Sequence, residues 1–364
     1  MQSMRAAVVD SVPGVPTIQT VEISEPGLGE VLIRTVASGV CHSDLHAMHG
    51  TGMSIPAPFV IGHEPSGIVE AVGPGVRRFQ PGDHVVACLS AFCGHCEKCV
   101  TGRTWQCFTD EWARQPGEAS RLARDGEAVT QFAGLGSYAE WMLVGQNNVV
   151  KIRDDMPLER ACLLGCGVLT GVGAVMNTAQ VPAGANVVVI GCGGVGLSVI
   201  QGARLANAAS IIAVDLDDTK LALASDLGAT ATVNARTDDP VARVVELTGG
   251  GGDFVFEAIG NETAARQALA MTGMRGTLTV VGILDLAATI TITGADLMMS
   301  KRIQQSMMGS NRFVADIPLL IDHYLAGRLD LDHMVGATKT LDDVPQALSD
   351  LEAGTVVGRT VIAF

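Results

Sequence analysis

The feature that most constrains this chain is a β-run, a glycine turn and a helix in direct succession. Residues 187–190 are an unbroken apolar run, Gly191-Cys-Gly193-Gly194-Val195-Gly196 follows, and residues 195–205 read as a helix. Glycines at this spacing allow a tight turn and a close approach of a pyrophosphate to the backbone, with the helix N-terminus facing the phosphates. Asp215 ends the next β-run, 19 positions after Gly196, where a carboxylate can bond adenosine ribose hydroxyls. The glycine pattern alone is often just a turn; with strand, helix and acid in place it predicts a dinucleotide site. Asp217 and Asp218 follow with no adjacent arginine, so a 2′-phosphate would meet three carboxylates, which favours NAD over NADP. The alternative use of Asp217 and Asp218 is to cap the next helix.

Strand-like runs at 211–214, 254–257 and 278–281 alternate with helical segments such as 219–227, which implies an α/β architecture with a parallel sheet covered on both faces. The first half reads differently. Short β signals at 5–9, 30–37, 66–72 and 84–88 are punctuated by Gly and Pro, and Met156-Pro157-Leu158-Glu159 reads as a helix start with proline in its first turn. The polar segment 108–131 reads as a surface excursion. At 364 residues the chain has room for two cores.

Composition narrows the class. The net charge of −14 argues against nucleic acid or an anionic membrane surface as partner. There is no signal-peptide pattern and no run of about 18 uncharged apolar residues, so the expected compartment is the cytoplasm. There, nine clustered cysteines favour metal over disulfides.

Cys93, Cys96, Cys99 and Cys107 are separated by two, two and seven residues. Four thiolates so spaced can enclose a tetrahedral structural zinc with no open position; an iron–sulfur cluster or reactive thiols are the alternatives. His95 lies inside this loop and reads as an exposed histidine. A scattered set, Cys41, His63 and Cys166, is what a catalytic zinc needs, three ligands and one free site. Each alone reads first as a buried core thiol or a satisfied core histidine, and only their arrangement with the rest of the chain favours a metal.

Taken together, Cys41-His-Ser-Asp44, Gly62-His-Glu64, the four-cysteine lobe, Leu164-Gly-Cys166, the glycine turn and Gly358-Arg-Thr-Val resemble the zinc-containing alcohol dehydrogenases of the medium-chain dehydrogenase/reductase superfamily over essentially the whole length. The resemblance implies a GroES-like catalytic domain, residues 1–167 and 309–364, and a Rossmann NAD domain, residues 168–308, with ligands in the cleft between. It implies two zincs per subunit, the catalytic one on Cys41, His63 and Cys166 and the structural one on the lobe. It further implies that Ser43 takes the hydroxyl proton and relays it through the cofactor ribose to His46, a residue of near-neutral intrinsic pKa. Asp44 orients His63, and Glu64 stands behind the ligands. Gly191, Gly193, Gly194, Val195, Gly196, Asp215, Lys220 and Arg359 fall to the cofactor. His42 occupies a pyrophosphate-contacting position where the family often has arginine, so it would loosen NADH in a pH-dependent way.

Leu89 and Phe132 match apolar pocket positions, and Ser43 is smaller than the threonine often found there. These point to a bulky apolar, aromatic or allylic primary alcohol. The glutathione-dependent formaldehyde branch is the nearest rival. Its carboxylate-binding arginine is replaced here by Glu111, its acidic residues are missing at Thr51-Gly-Met-Ser54, and its common tyrosine is His46. Cys166 disfavours the polyol branch, which commonly uses a carboxylate ligand. A silent NAD-binding protein is the non-enzymatic alternative. Residues 288–293 and the run near Ile303 are expected as edge strands for pairing subunits, with a homodimer favoured over a tetramer.

Overall fold

The computed structural model describes residues 2–52, 54–109, 111, 113–114 and 118–364. The chain forms two compact units, Met1–Cys166 with Arg312–Leu325 and Val335–Phe364, and Gly167–Asn311 with Ala326–Met334.

In the first unit, Gln2–Val9, Thr17–Ile23, Leu122–Arg124, Glu127–Gln131 and Phe59–Val60 close into a barrel. A second, seven-stranded sheet is centred on Glu30–Gly39, which pairs with Pro65–Val72, Trp141–Gly145 and the C-terminal strand Arg359–Ala363. Glu30–Gly39 is buried at almost every position because it is covered on both faces, so its apolar residues run on rather than alternate. Val361 pairs with Gly39, which brings Arg359 back to the first fifty residues.

Two expectations fail in this unit. Residues 122–131 are not a surface excursion but two barrel strands, with Leu122 and Val129 buried. The polar sequence hid them because only one face of each short strand is apolar. Arg114 and Arg121 tie this region down by donating to the nearly buried Glu30 carboxylate, each at 2.7 Å. Pro157 is the N-cap of a helix Leu158–Ala161 rather than part of its first turn.

The second unit is built on six parallel strands in the order Ala231–Asn234, Ser210–Asp215, Asn186–Ile190, Gly252–Glu257, Thr272–Val280 and Arg302–Gln305. In chain order this is 3-2-1-4-5-6, the doubly wound dinucleotide-binding arrangement. The helices Asp218–Asp226, Pro240–Thr248 and Glu262–Met271 start at Asp217, Asp239 and Asn261, whose side chains accept from the first free backbone N–H groups. Residues 288–293 form no strand, although the sequence alternates; they are irregular chain leading to the helix Gly294–Met298. Arg302–Gln305, which contains Ile303, is the outer strand of this sheet. Among the described residues no single helix is long and apolar enough to cross a membrane.

Candidate active site

Cys41, His63, Glu64 and Cys166 come together in the first unit, with one ligand atom of each within 4.8 Å of the others. Cys41 caps the helix His42–His49, and its backbone N–H donates to Asp44 Oδ2 at 3.1 Å. His63 follows the short strand Phe59–Val60. Gly62 before it has φ +96°, and a Cβ there would lie 2.7 Å from the Tyr138 backbone nitrogen, so only glycine lets the chain turn His63 inward. Cys166 ends a tight turn, Cys162–Gly165.

The orientation of His63 is fixed from behind. Its Nδ1 donates to Asp44 Oδ1 at 3.0 Å, and both side chains are fully buried. Asp44 is held in turn by the Tyr138 hydroxyl, 2.8 Å from Oδ2. The Phe132 ring stands edge-on to the imidazole at 5.1 Å. With Nδ1 committed, His63 Nε2 is buried without a hydrogen-bond partner. A bare imidazole nitrogen aimed among two thiols is the donor arrangement of a zinc ligand set, so these residues fit the catalytic metal.

The charges of these groups depend on one another. The contact with Cys166, reinforced by His63, holds the Cys41 thiol well below its usual range, while the same contact and burial push Cys166 up. Burial opposes the His63 imidazolium, yet the Asp44 and Cys41 charges outweigh it and raise its pKa well above normal. Burial lifts Glu64 to about 7 against the pull of Arg359.

Glu64 stands closer than its sequence-based role behind the ligands suggests. Its Oε2 accepts from Arg359 Nη2, and its Oε1 has no hydrogen-bond partner. Arg359 is thus engaged in a buried pair beside the thiols; a phosphate contact rests on the resemblance alone. His42 is exposed, while Ser43 and His46 are half-buried on the same helix. Leu89 is half-buried and packs on the sheet core. Met53, within the Thr51–Ser54 segment, lies outside the described residues. Nothing in Gly136-Ser-Tyr138 marks Tyr138 as a partner for a residue 94 positions earlier, so only the fold reveals this contact.

The lobe forms a second cluster. Its Sγ–Sγ separations are 3.8 Å for Cys93–Cys99 and 3.7 Å for both Cys96–Cys107 and Cys93–Cys107. Four sulfurs about 2.3 Å from a central zinc would stand about 3.8 Å apart, so the lobe fits a tetrahedral ion and excludes disulfides. The backbone N–H groups of His95 and Cys96 pull Cys93 down to about 6, toward the thiolate a metal needs. His95 is largely exposed and pairs with Glu111 at 3.6 Å.

In the second unit the glycine turn packs tightly at one end and leaves open space at the other. A Cβ on Gly196 would strike the Gly191 carbonyl oxygen at 1.7 Å, whereas one on Gly193 would meet nothing within 4 Å. The space before the N-terminus of helix Gly194–Leu205 is therefore open. Asp215 accepts from the N–H groups of Cys192 and Leu216, each at 2.7 Å, and lines a cavity of about 440 Å³. Asp217 accepts from Thr219 and Lys220 N–H, and Asp218 accepts from Asn234 Nδ2 at 2.6 Å. Both acids thus serve local structure, the alternative use given above, and neither lines the cavity. Lys220 does not line it either.

Comparison with known proteins gives the same picture. Residues 27–154 match the family described as "Alcohol dehydrogenase GroES-like domain" and residues 194–323 the family "Zinc-binding dehydrogenase". The chain is 34% identical to an S-(hydroxymethyl)glutathione dehydrogenase of Paracoccus denitrificans, over 95% of this chain and 96% of that protein. It is 36% identical to a class-3 alcohol dehydrogenase of Oryza sativa subsp. japonica, over 95% and 93%. The crystal structure of a benzyl alcohol dehydrogenase from Acinetobacter calcoaceticus superposes with a TM-score of 0.93 at 35% identity, covering 100% of both chains. The GroES-like barrel, the Rossmann sheet and these relatives together establish that the chain belongs to the zinc-containing alcohol dehydrogenases of the medium-chain dehydrogenase/reductase superfamily.

Proposed function

We propose that this protein is an NAD-dependent dehydrogenase interconverting a bulky apolar, aromatic or allylic primary alcohol and its aldehyde. The observation that carries the reading is the buried trio Cys41, His63 and Cys166 with the unpartnered His63 Nε2. These three residues would hold the catalytic zinc, and Cys93, Cys96, Cys99 and Cys107 the structural one. When bound, zinc supplies Lewis acidity toward an oxygen, and the nicotinamide supplies a hydride acceptor.

The chain's own residues do the rest. Asp44 and Tyr138 hold the His63 ring so that Nε2 faces the thiols. Ser43 takes the substrate hydroxyl proton at its Oγ, and His46, half-buried on the same helix, passes it toward solvent. Phe132 and Leu89 shape the apolar side of the substrate site. Gly191 to Gly196 receive the pyrophosphate and Asp215 the adenosine ribose. We also assign the protein to the cytoplasm, as a homodimer without nucleic-acid or membrane partners.

A second reading, turnover of S-(hydroxymethyl)glutathione, is favoured by the names of the curated relatives. Against it stands Glu111, exposed on the lobe and paired with His95, where that branch would carry an arginine. The test is kcat/KM with NAD across aliphatic, allylic, benzylic and glutathione-adduct substrates, with zinc measured on the same sample. Benzylic or allylic alcohols should lead. Equal turnover of the glutathione adduct would transfer the assignment, and no turnover of any alcohol by zinc-loaded protein would leave a silent nucleotide binder.

A further inference from the structure

A second acidic residue, Glu262, lies in the wall of the cavity beside Asp215, and sequence proximity does not reveal it. Its lining includes Asp215 and Leu216 from the end of the second strand and Ile259, Asn261 and Glu262 from the start of the helix Glu262–Met271. No lysine or arginine lines it. Asp217 and Asp218, the acids adjacent to Asp215 in sequence, are turned to helix capping and to Asn234. Glu262 enters from 47 positions further along the chain.

Its placement has an electrostatic consequence. A helix N-terminus in a cavity wall ordinarily attracts anions through its free N–H groups and its positive dipole end. Here the Asn261 side chain occupies one of those groups, accepting from Ala264 N–H at 2.8 Å. Glu262 adds a full negative charge in the first turn. The carboxylate is held in place, its Oε1 accepting from the Thr289 backbone N–H at 2.7 Å and from Thr289 Oγ1 at 3.4 Å. A cavity of about 440 Å³ is roughly 9 Å across, so an anion inside it lies within one Debye length of Glu262 at about 0.1 M salt or below.

We propose that Glu262 is a specificity-determining residue that, together with Asp215, excludes dinucleotides carrying a 2′-phosphate. The inference rests on the nucleotide reading above and adds a residue to it. Asp215 rejects the phosphate from the strand side, and Glu262 reverses the anion attraction of the facing helix.

The experiment is titration calorimetry of the zinc-loaded protein with 5′-AMP, 2′-AMP, NAD and NADP at low and high salt, on wild type, Glu262→Gln and Glu262→Asp. Glutamine keeps an oxygen for the Thr289 N–H and removes only the charge. The expected result is a rise of about three- to tenfold in the NADP-to-NAD affinity ratio for Glu262→Gln at low salt, shrinking as salt rises. Glu262→Asp should keep the wild-type ratio. An unchanged ratio in Glu262→Gln, with 5′-AMP still binding wild type, would overturn the role of Glu262 alone. A gain that salt leaves untouched would mark a packing effect and overturn it too. Failure of wild type to bind any of the four nucleotides would remove the nucleotide reading beneath it.

Discussion

The lobe draws four sulfurs from fifteen consecutive residues and leaves Cys93, Cys96 and Cys99 half-buried, whereas the trio draws one donor each from the neighbourhoods of residues 41, 63 and 166 and buries all three. The lobe has four like donors and no vacancy. The trio has two thiols and an imidazole whose bare nitrogen is aimed by Asp44 and Tyr138. A closed, local, all-sulfur site suits a structural ion; an open, buried, mixed site backed by a carboxylate and a phenol suits chemistry. The comparison teaches that the conspicuous metal signal in this chain is the less reactive one.

Four measurements can break or sharpen that contrast. The largest effect is expected from His63→Ala, which should lower kcat/KM about a thousandfold or more and cost one zinc of two while the lobe keeps its own. A variant that stayed active with one zinc would dissolve the distinction. Cys99→Ala should do the reverse. One zinc should be lost and the melting temperature should fall by about 5 °C or more, with kcat/KM of the folded protein within about threefold. A catalytic defect as deep as that of His63→Ala would show that the lobe takes part in the reaction.

Removing the support behind His63 should cost less. Asp44→Asn should weaken zinc at the trio about 10- to 100-fold, read by competition with a chelator, and Tyr138→Phe less than that. Equal loss from both would mean that the Tyr138 hydroxyl, not the Asp44 charge, fixes the ring. The smallest effect is in pH. In zinc-free protein the raised His63 pKa means that its ion pairing with Asp44 and Cys41 stabilises the fold fully below about 6.5 and is lost as pH rises through the raised folded value. Zinc must displace that proton, so uptake at the trio should strengthen with rising pH across the same window. The lobe must shed protons too, because burial raises Cys99 and pushes Cys107 up to about 12 although Cys93 is drawn down to about 6, so its uptake should also strengthen with rising pH. Zinc uptake at either site that does not change with pH would contradict this account.

What the sequence alone determined are the features written into a few adjacent residues. The four-cysteine spacing, the glycine turn, the alternation that makes a parallel sheet and the motifs around Cys41, His63 and Cys166 are all local, and local spacing fixes which atoms can meet within a turn or two. Tertiary structure decided the long-range partners. Tyr138 reaches Asp44 across 94 positions, just before the strand Trp141–Gly145 that pairs with Glu30–Gly39, and Arg359 reaches Glu64 across 295 because the C-terminal strand returns beside Glu30–Gly39. It also moved residues 122–131 into the barrel, left 288–293 outside any sheet, and put Glu262 rather than Asp217 or Asp218 in the wall of the cavity beside Asp215. The physical reason is the same in each case. Burial and hydrogen-bond satisfaction belong to the packed chain, and a buried polar group takes its partner from whatever segment the fold brings within about 3 Å, wherever that segment lies in the sequence.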